Sequence, residues 1–177
     1  HWAPHLLHLR DLQKETGGFT EFVPLPFVAS EAPIYLKGRA RRGPTFREAV
    51  LMHAVARLAL HPHITNIQTS WVKMGPDGVK ACLNAGANDL GGTLMNESIS
   101  RAAGARHGQE IVPRDMVNFI QHAGLQAAQR NTLYQQLAHY GRTSKPEPQL
   151  SLIDYQRSVQ VSAAYSSPQS IPVKVSA

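Results

Sequence analysis

The feature that most constrains this chain is a cycle repeated three times, in which a β-forming stretch passes through a loop into an apolar helical stripe. In the first cycle, Phe19-Thr-Glu-Phe-Val-Pro-Leu-Pro-Phe27 predicts a strand of about five residues, because Pro24 and Pro26 remove the later half from any ladder. A loop over residues 28 to 44 follows. Thr45-Phe-Arg-Glu48 then offers a capping box and opens a helix with Phe46, Val50, Ala54 and Leu58 as its expected inward stripe, closed by Pro62. The second cycle runs from a strand over Ile64 to Val72 into a short helix opened by Gly75-Pro76, with Val79, Cys82 and Leu83 inward and Gly86 at its end. The third leads from a strand end at Ala87 to Leu94, through a polar loop, to a helix from Pro113 to about Gly124 using Met116, Phe119 and Ile120. Ahead of all three, Trp2, Leu6, Leu9 and Leu12 form one helical stripe that should end at Gly17-Gly18.

Strands alternating with helices at this spacing predict an α/β fold of parallel strands with crossover helices. Periodicity alone leaves open whether the sheet is doubly wound or part of a closed barrel. In either case function gathers where strands end, since the following loops meet there while helices cover the flanks. The candidates are therefore Pro24, Leu25, Pro26, Phe27 and Glu31 after the first strand, Gln68, Thr69, Ser70, Trp71 and Lys73 after the second, and Asp89, Gly91, Gly92, Thr93, Asn96 and Glu97 after the third. Gln68, Ser70 and Asn96 can hydrogen-bond a neutral heteroaromatic ring, Trp71 can stack on it, and Asp89 or Glu97 can accept protons. Each has a structural alternative: Trp71 in the core, Gln68 bridging neighbouring strands, Asp89 capping a loop, Glu97 facing water. Asp89-Leu-Gly-Gly-Thr93 lacks the Gly-Lys-Ser/Thr of a phosphate loop and the three-glycine dinucleotide spacing.

Composition narrows the classes further. With 177 residues and 42% hydrophobic content the chain can build one ordinary globular core. No apolar run is long enough to span a bilayer, and no secretory leader pattern is present, so a cytoplasmic setting without a membrane partner is expected. A single cysteine, Cys82, excludes an internal disulfide or a cysteine cluster within the chain and reads as a small core residue. The net charge of +6 concentrates in the run from Lys37 to Arg47, with Arg39, Arg41 and Arg42. A basic nucleic-acid-binding module is the alternative of another class; the run is short and lacks interleaved aromatics, so a solvated loop without a nucleic-acid partner is expected. His61-Pro-His63 and the trio His1, His5 and His8 lack the carboxylates or cysteines that would complete a metal site, and none is expected. After Tyr140 large apolar residues become scarce, and the tail from about residue 143 is expected to be disordered.

An ordered series of motifs adds a family. Thr20-Glu-Phe-Val-Pro-Leu-Pro-Phe27, Ala32-Pro-Ile-Tyr-Leu-Lys-Gly-Arg-Ala-Arg41, Gly43-Pro-Thr45, Asn66-Ile-Gln-Thr-Ser-Trp-Val-Lys73, Asn88-Asp-Leu-Gly-Gly-Thr-Leu-Met-Asn-Glu-Ser-Ile-Ser100 and Gln129-Arg-Asn-Thr-Leu-Tyr134 together resemble the C-terminal section of the radical-SAM FO synthase family. The resemblance implies strands 6 to 8 of a (β/α)8 TIM barrel over residues 1 to 142, missing an N-terminal barrel half. It implies a transferase that joins a 4-hydroxybenzyl group from L-tyrosine to 5-amino-6-(D-ribitylamino)uracil, on the way to the deazaflavin of coenzyme F420. Enzymes of the futalosine route to menaquinone are the runner-up within the class, and a decayed, non-catalytic fragment is a further alternative. The family's cofactors are S-adenosylmethionine and a 4Fe-4S cluster held by three upstream cysteines, after whose reductive step the 5′-deoxyadenosyl radical starts the chemistry. Those ligands are absent here, so the chain alone is expected to be inactive. From their strand-exit positions Asp89 and Glu97 are expected to be catalytic, Gln68, Ser70, Trp71, Thr93 and Asn96 to bind substrate, and Pro24, Leu25 and Phe27 to bind the cofactor. Ala29-Ser30 departs from the His-Met pair expected in relatives, which implies an altered substrate-side contact near strand 6.

Overall fold

The computed structural model describes residues 1–94, 96–108 and 110–141. The expected disordered tail from residue 143 lies outside them. Helix α1 (Trp2–Thr16) ends where predicted, on Gly17 in the left-handed conformation (φ 62°), whose N-H donates to the carbonyl of Gln13. Gln13 also ties the helix to two later segments: its amide nitrogen donates to the carbonyls of Phe19 (3.0 Å) and His63 (3.1 Å), while Phe19 N-H donates to Gln13 Oε1 at 2.7 Å. A one-turn helix, α2 (Pro33–Leu36), breaks the loop before α3 (Phe46–Leu60). Both halves of the capping box form, with Thr45 Oγ1 accepting from Glu48 N-H and the Glu48 carboxylate accepting from Thr45 N-H at 2.7 Å.

The inward stripe predicted for α3 is corrected. Ala49, His53, Ala56 and Leu60 are buried, whereas Phe46 is 56% and Leu58 83% exposed. Of the predicted stripe Val50 packs against the larger core cluster, and the buried face is turned round the helix from the one predicted. Ala56 and Leu60 meet Leu6, Ile64 and Ile67 in one core cluster, with Phe22 and Met52 packed on its margin.

The three strands are shorter than predicted. Two single parallel contacts join them in place of ladders, Phe22 with Ile67 and Gln68 with Asp89, carried by Phe22 N-H to Asn66 O (2.9 Å), Gln68 N-H to Phe22 O (3.0 Å) and Thr69 N-H to Asp89 O (2.9 Å). The second segment therefore lies between the first and the third. Arg57 fixes the chain entering the second and third segments, donating to Thr65 O (2.7 Å), Gly86 O (2.7 Å) and Asn88 Oδ1 (2.8 Å).

The second strand also ends earlier than predicted. Ser70 is the N-cap of α4 (Trp71–Asn84), so Trp71 is helical, and the stretch predicted to start at Gly75-Pro76 is the second half of that helix. Gly75 (φ 65°) breaks the helix there: Pro76 disfavours helical backbone in the residue before it, and glycine can take the positive φ found. Val79, Cys82 and Leu83 face inward as expected and join Trp71, Val72, Met74, Ala87, Leu90 and Ile111 in the larger core cluster. A short turn of helix, α5 (Ile99–Ala102), precedes α6 (Pro113–His122), whose Met116, Phe119 and Ile120 pack on that cluster. An antiparallel hairpin that the sequence pattern does not predict comes next: β1 (Ala127–Arg130) and β2 (Gln136–Tyr140), with Ala127 opposite Tyr140 and a bulge between Gln129 and Arg130.

Candidate functional site

Alternation along a strand decides which residues share the face away from the helices. Ile67 and Thr69 are fully buried on the helix side, so Gln68 between them faces the other way, as does its partner Asp89. Phe22 packs with the helix-side cluster, which places Glu21 on the same far face. Glu21, Gln68 and Asp89 thus form a polar row across all three segments.

The hairpin covers this row. Arg130 grips Asp89 with both arms of its guanidinium, Nε to Oδ2 and Nη2 to Oδ1 at 3.0 Å, and its Nη2 lies 3.8 Å from Glu21 Oε2. The Tyr134 hydroxyl donates to the same Glu21 oxygen, and the Arg130 guanidinium stacks 4.0 Å from the centre of the Tyr134 ring. The hydrogen bonds that Arg130 donates to Asp89 raise its pKa; burial and the Glu21 carboxylate push the Tyr134 phenol well up, so it stays protonated. Asp89 Oδ1 also accepts from Gly91 N-H at 2.6 Å. Gly91 has φ 72°, and a Cβ there would sit 2.7 Å from the Gln68 amide nitrogen, so glycine is needed for the chain to pass over Gln68.

The other predicted residues lie along the same exits. Trp71 is 6% exposed, buried in the larger core cluster, and its Nε1-H donates to Gly92 O at 3.2 Å, bracing the loop that leaves the third segment. Ser70 is half-buried and makes no side-chain capping bond. Thr93 and Asn96 are exposed on the loop beyond Gly92. Glu97 accepts from Ser100 N-H at 2.9 Å, and Lys73 Nζ donates to Ser100 Oγ at 2.9 Å, so the second and third exit loops are linked through Ser100. Pro24, Leu25 and Phe27 line a separate cavity of about 400 Å³ with Trp2, His5 and Met52; Leu25 is 61% and Phe27 42% exposed. Sequence reasoning missed Glu21, Arg130 and Tyr134. The signal was Asp89 itself, since a carboxylate at a buried strand exit needs a countercharge.

Behind the strands, His53 is fully buried with Nδ1 bonded to Ala49 O at 2.8 Å, and burial holds its pKa down. Cys82 lies 3.5 Å from the same nitrogen and its thiol is pushed up by burial, so it is a poor metal ligand. Among the described residues, no group of three or more His, Cys, Asp or Glu side chains is placed to hold a metal ion. No described helix is long and apolar enough to cross a membrane.

Parallel segments joined by helices, with polar side chains gathered at their exits, define an α/β protein whose site is built from loops. Residues 16–142 match the family described as the CofH/MqnC C-terminal region, and the chain belongs to that family. It is 54% identical over 134 residues to the FO synthase of Mycobacterium leprae, covering 76% of this chain and 16% of that protein. It is likewise 54% identical over 139 residues to the 5-amino-6-(D-ribitylamino)uracil–L-tyrosine 4-hydroxyphenyl transferase of Methanopyrus kandleri, covering 78% of this chain and 38% of that protein. The FO synthase of Streptomyces coelicolor gives 54% over 134 residues. The chain therefore spans between about a sixth and two-fifths of the length of these relatives.

Proposed function

We propose that this segment supplies strands 6 to 8 of a radical-SAM (β/α)8 barrel, and that the whole enzyme transfers the 4-hydroxybenzyl part of L-tyrosine to 5-amino-6-(D-ribitylamino)uracil in FO formation. What carries the reading is the row Glu21, Gln68 and Asp89 on one face of three parallel segments, in a chain 54% identical to a transferase bearing those two substrates in its name. The family's description also covers the menaquinone-route enzymes, and the names of these relatives favour the FO reading.

In this reading Gln68, Ser70, Thr93 and Asn96 hydrogen-bond the pyrimidine's amide-like edge, with Trp71 holding the Gly92 backbone against it. Asp89 and Glu97 accept protons as the new bond forms, Asp89 being held in place by Arg130. The cysteine content does not fit an iron-sulfur cluster: Cys82 is the sole cysteine and lies in the core, so the cluster's ligands belong elsewhere in the enzyme. Pro24, Leu25 and Phe27 do fit S-adenosylmethionine, since they offer an open apolar wall to its adenosyl group. When bound beside a reduced cluster that molecule supplies the radical. The residues of this chain bind, orient and exclude water around it. A cytoplasmic, reducing setting suits such a reaction.

The test is a chimera in which residues 16–142 replace the matching segment of the Methanopyrus kandleri transferase. After anaerobic cluster reconstitution it should form the coupled product from both substrates. A chimera that cleaves S-adenosylmethionine yet never couples tyrosine to the pyrimidine would end this reading.

A further inference from the structure

The basic run beyond α2 does not lie on an empty loop. Arg42 lines a cavity of about 530 Å³, and Arg106, from the loop after α5, lines it too, together with Phe27 and Tyr35. Neither guanidinium forms an ion pair with a carboxylate among the described residues. Both side chains are exposed on this cavity, so their guanidinium groups are open to an anion that enters it.

The walls are braced in place. Ser30 Oγ donates to Ala103 O (3.3 Å), and Glu31 N-H donates to Ala103 O (3.0 Å), which joins the Arg106 loop to the segment after Phe27. Gly104 (φ 93°) lies so close to Ser30 that a Cβ would overlap its hydroxyl, and Gly43 lies equally close to the Phe27 carbonyl. Both arginines are thereby carried on backbone that cannot easily move apart. Ser30, of the Ala29-Ser30 pair, lines this cavity itself, and its hydroxyl ties one wall to the Ala103 carbonyl.

We propose that this cavity binds the carboxylate of an amino-acid ligand, with Arg42 and Arg106 as the two cationic contacts and Phe27 and Tyr35 flanking the rest of the ligand. A planar guanidinium matches a carboxylate bidentately, and two of them specify that end of the molecule. The identity of the ligand rests on the function proposed above. L-tyrosine and S-adenosylmethionine carry the same amino-acid carboxylate, and the shared chemistry is what the arginines recognise.

Binding to the anaerobic chimera is measured by calorimetry for two pairs: L-tyrosine against tyramine, and S-adenosylmethionine against its decarboxylated form. One pair should differ by about tenfold or more in Kd, as charge-assisted hydrogen bonds predict, and that pair names the ligand. Arg42→Gln and Arg106→Gln should each bring the ratio close to one, while Arg39→Gln, exposed and outside the cavity, should leave it unchanged. Equal binding within both pairs, or a ratio that survives both substitutions, overturns the proposal. The coupling assay is read separately: a carboxylate preference without coupling sinks the functional reading alone, and coupling without a preference sinks this site alone.

Discussion

Asp89 and Glu97 look alike in the sequence, two carboxylates on one Gly-rich exit, yet their surroundings assign them different dependences. Asp89 is held by both arms of Arg130 and by Gly91 N-H, whereas Glu97 accepts from the backbone of the turn it caps. Asp89→Asn removes the ionised half of a largely buried pair, since the two side chains are 9% and 25% exposed. It should cost about 2 kcal/mol, the usual scale for losing charge-assisted bonds. In the full-length enzyme coupling should fall while S-adenosylmethionine cleavage persists. Glu97→Gln keeps an oxygen for Ser100, so its melting temperature should barely move while coupling falls. Melting curves run beside the coupling assay separate the cases: if Glu97→Gln couples at the normal rate, its proton-accepting role is wrong, and if Asp89→Asn melts normally, the Arg130 grip contributes nothing.

At the scale of elements, the capping box before α3 was legible in Thr45-Phe-Arg-Glu48 because capping depends on local spacing alone, and both bonds form. Thr45→Ala removes the acceptor for Glu48 N-H and should lower stability by about 1 kcal/mol, visible as a drop of several degrees in the melting temperature. No shift would mean that water replaces the cap without loss. The face of the same helix was not legible: Phe46 and Leu58 outrank Ala49 and Ala56 in hydrophobicity, but which side lies against strands is a tertiary fact. The ends of α1 and α6 were readable from Gly17 and Pro113 for the same local reason as the cap. The hairpin over Ala127 to Tyr140 was not, because Gln129-Arg-Asn-Thr-Leu-Tyr134 carries no alternating apolar pattern. What orders it is the long-range pairing of Arg130 with Asp89 and of Tyr134 with Glu21. The strand-exit positions of Gln68 and Asp89 were legible, and the countercharge that holds Asp89 was not.

For the whole molecule, the question is what the open side of the first strand segment pairs with. Phe22 directs both its N-H and its carbonyl to the second segment, so the amides of Glu21 and Val23 point away from it. Among the described residues neither of those N-H groups has a bonding partner. A sheet edge left in this state invites pairing, and barrels remove it by closure. If residues 1 to 142 are the closing part of a barrel, strand 5 of the full-length enzyme takes these two amides. Hydrogen exchange then discriminates. In the isolated chain Glu21 and Val23 should exchange nearly as fast as an open peptide, and in the chimera at least about a hundredfold more slowly, as amides in a cooperative sheet do. Phe22, bonded to Asn66 in both contexts, is the internal reference. Fast exchange at Glu21 and Val23 in a chimera that protects Phe22 would mean that the sheet stays open on this side, and the barrel reading would have to give way to an open α/β sheet that places the same exit loops together.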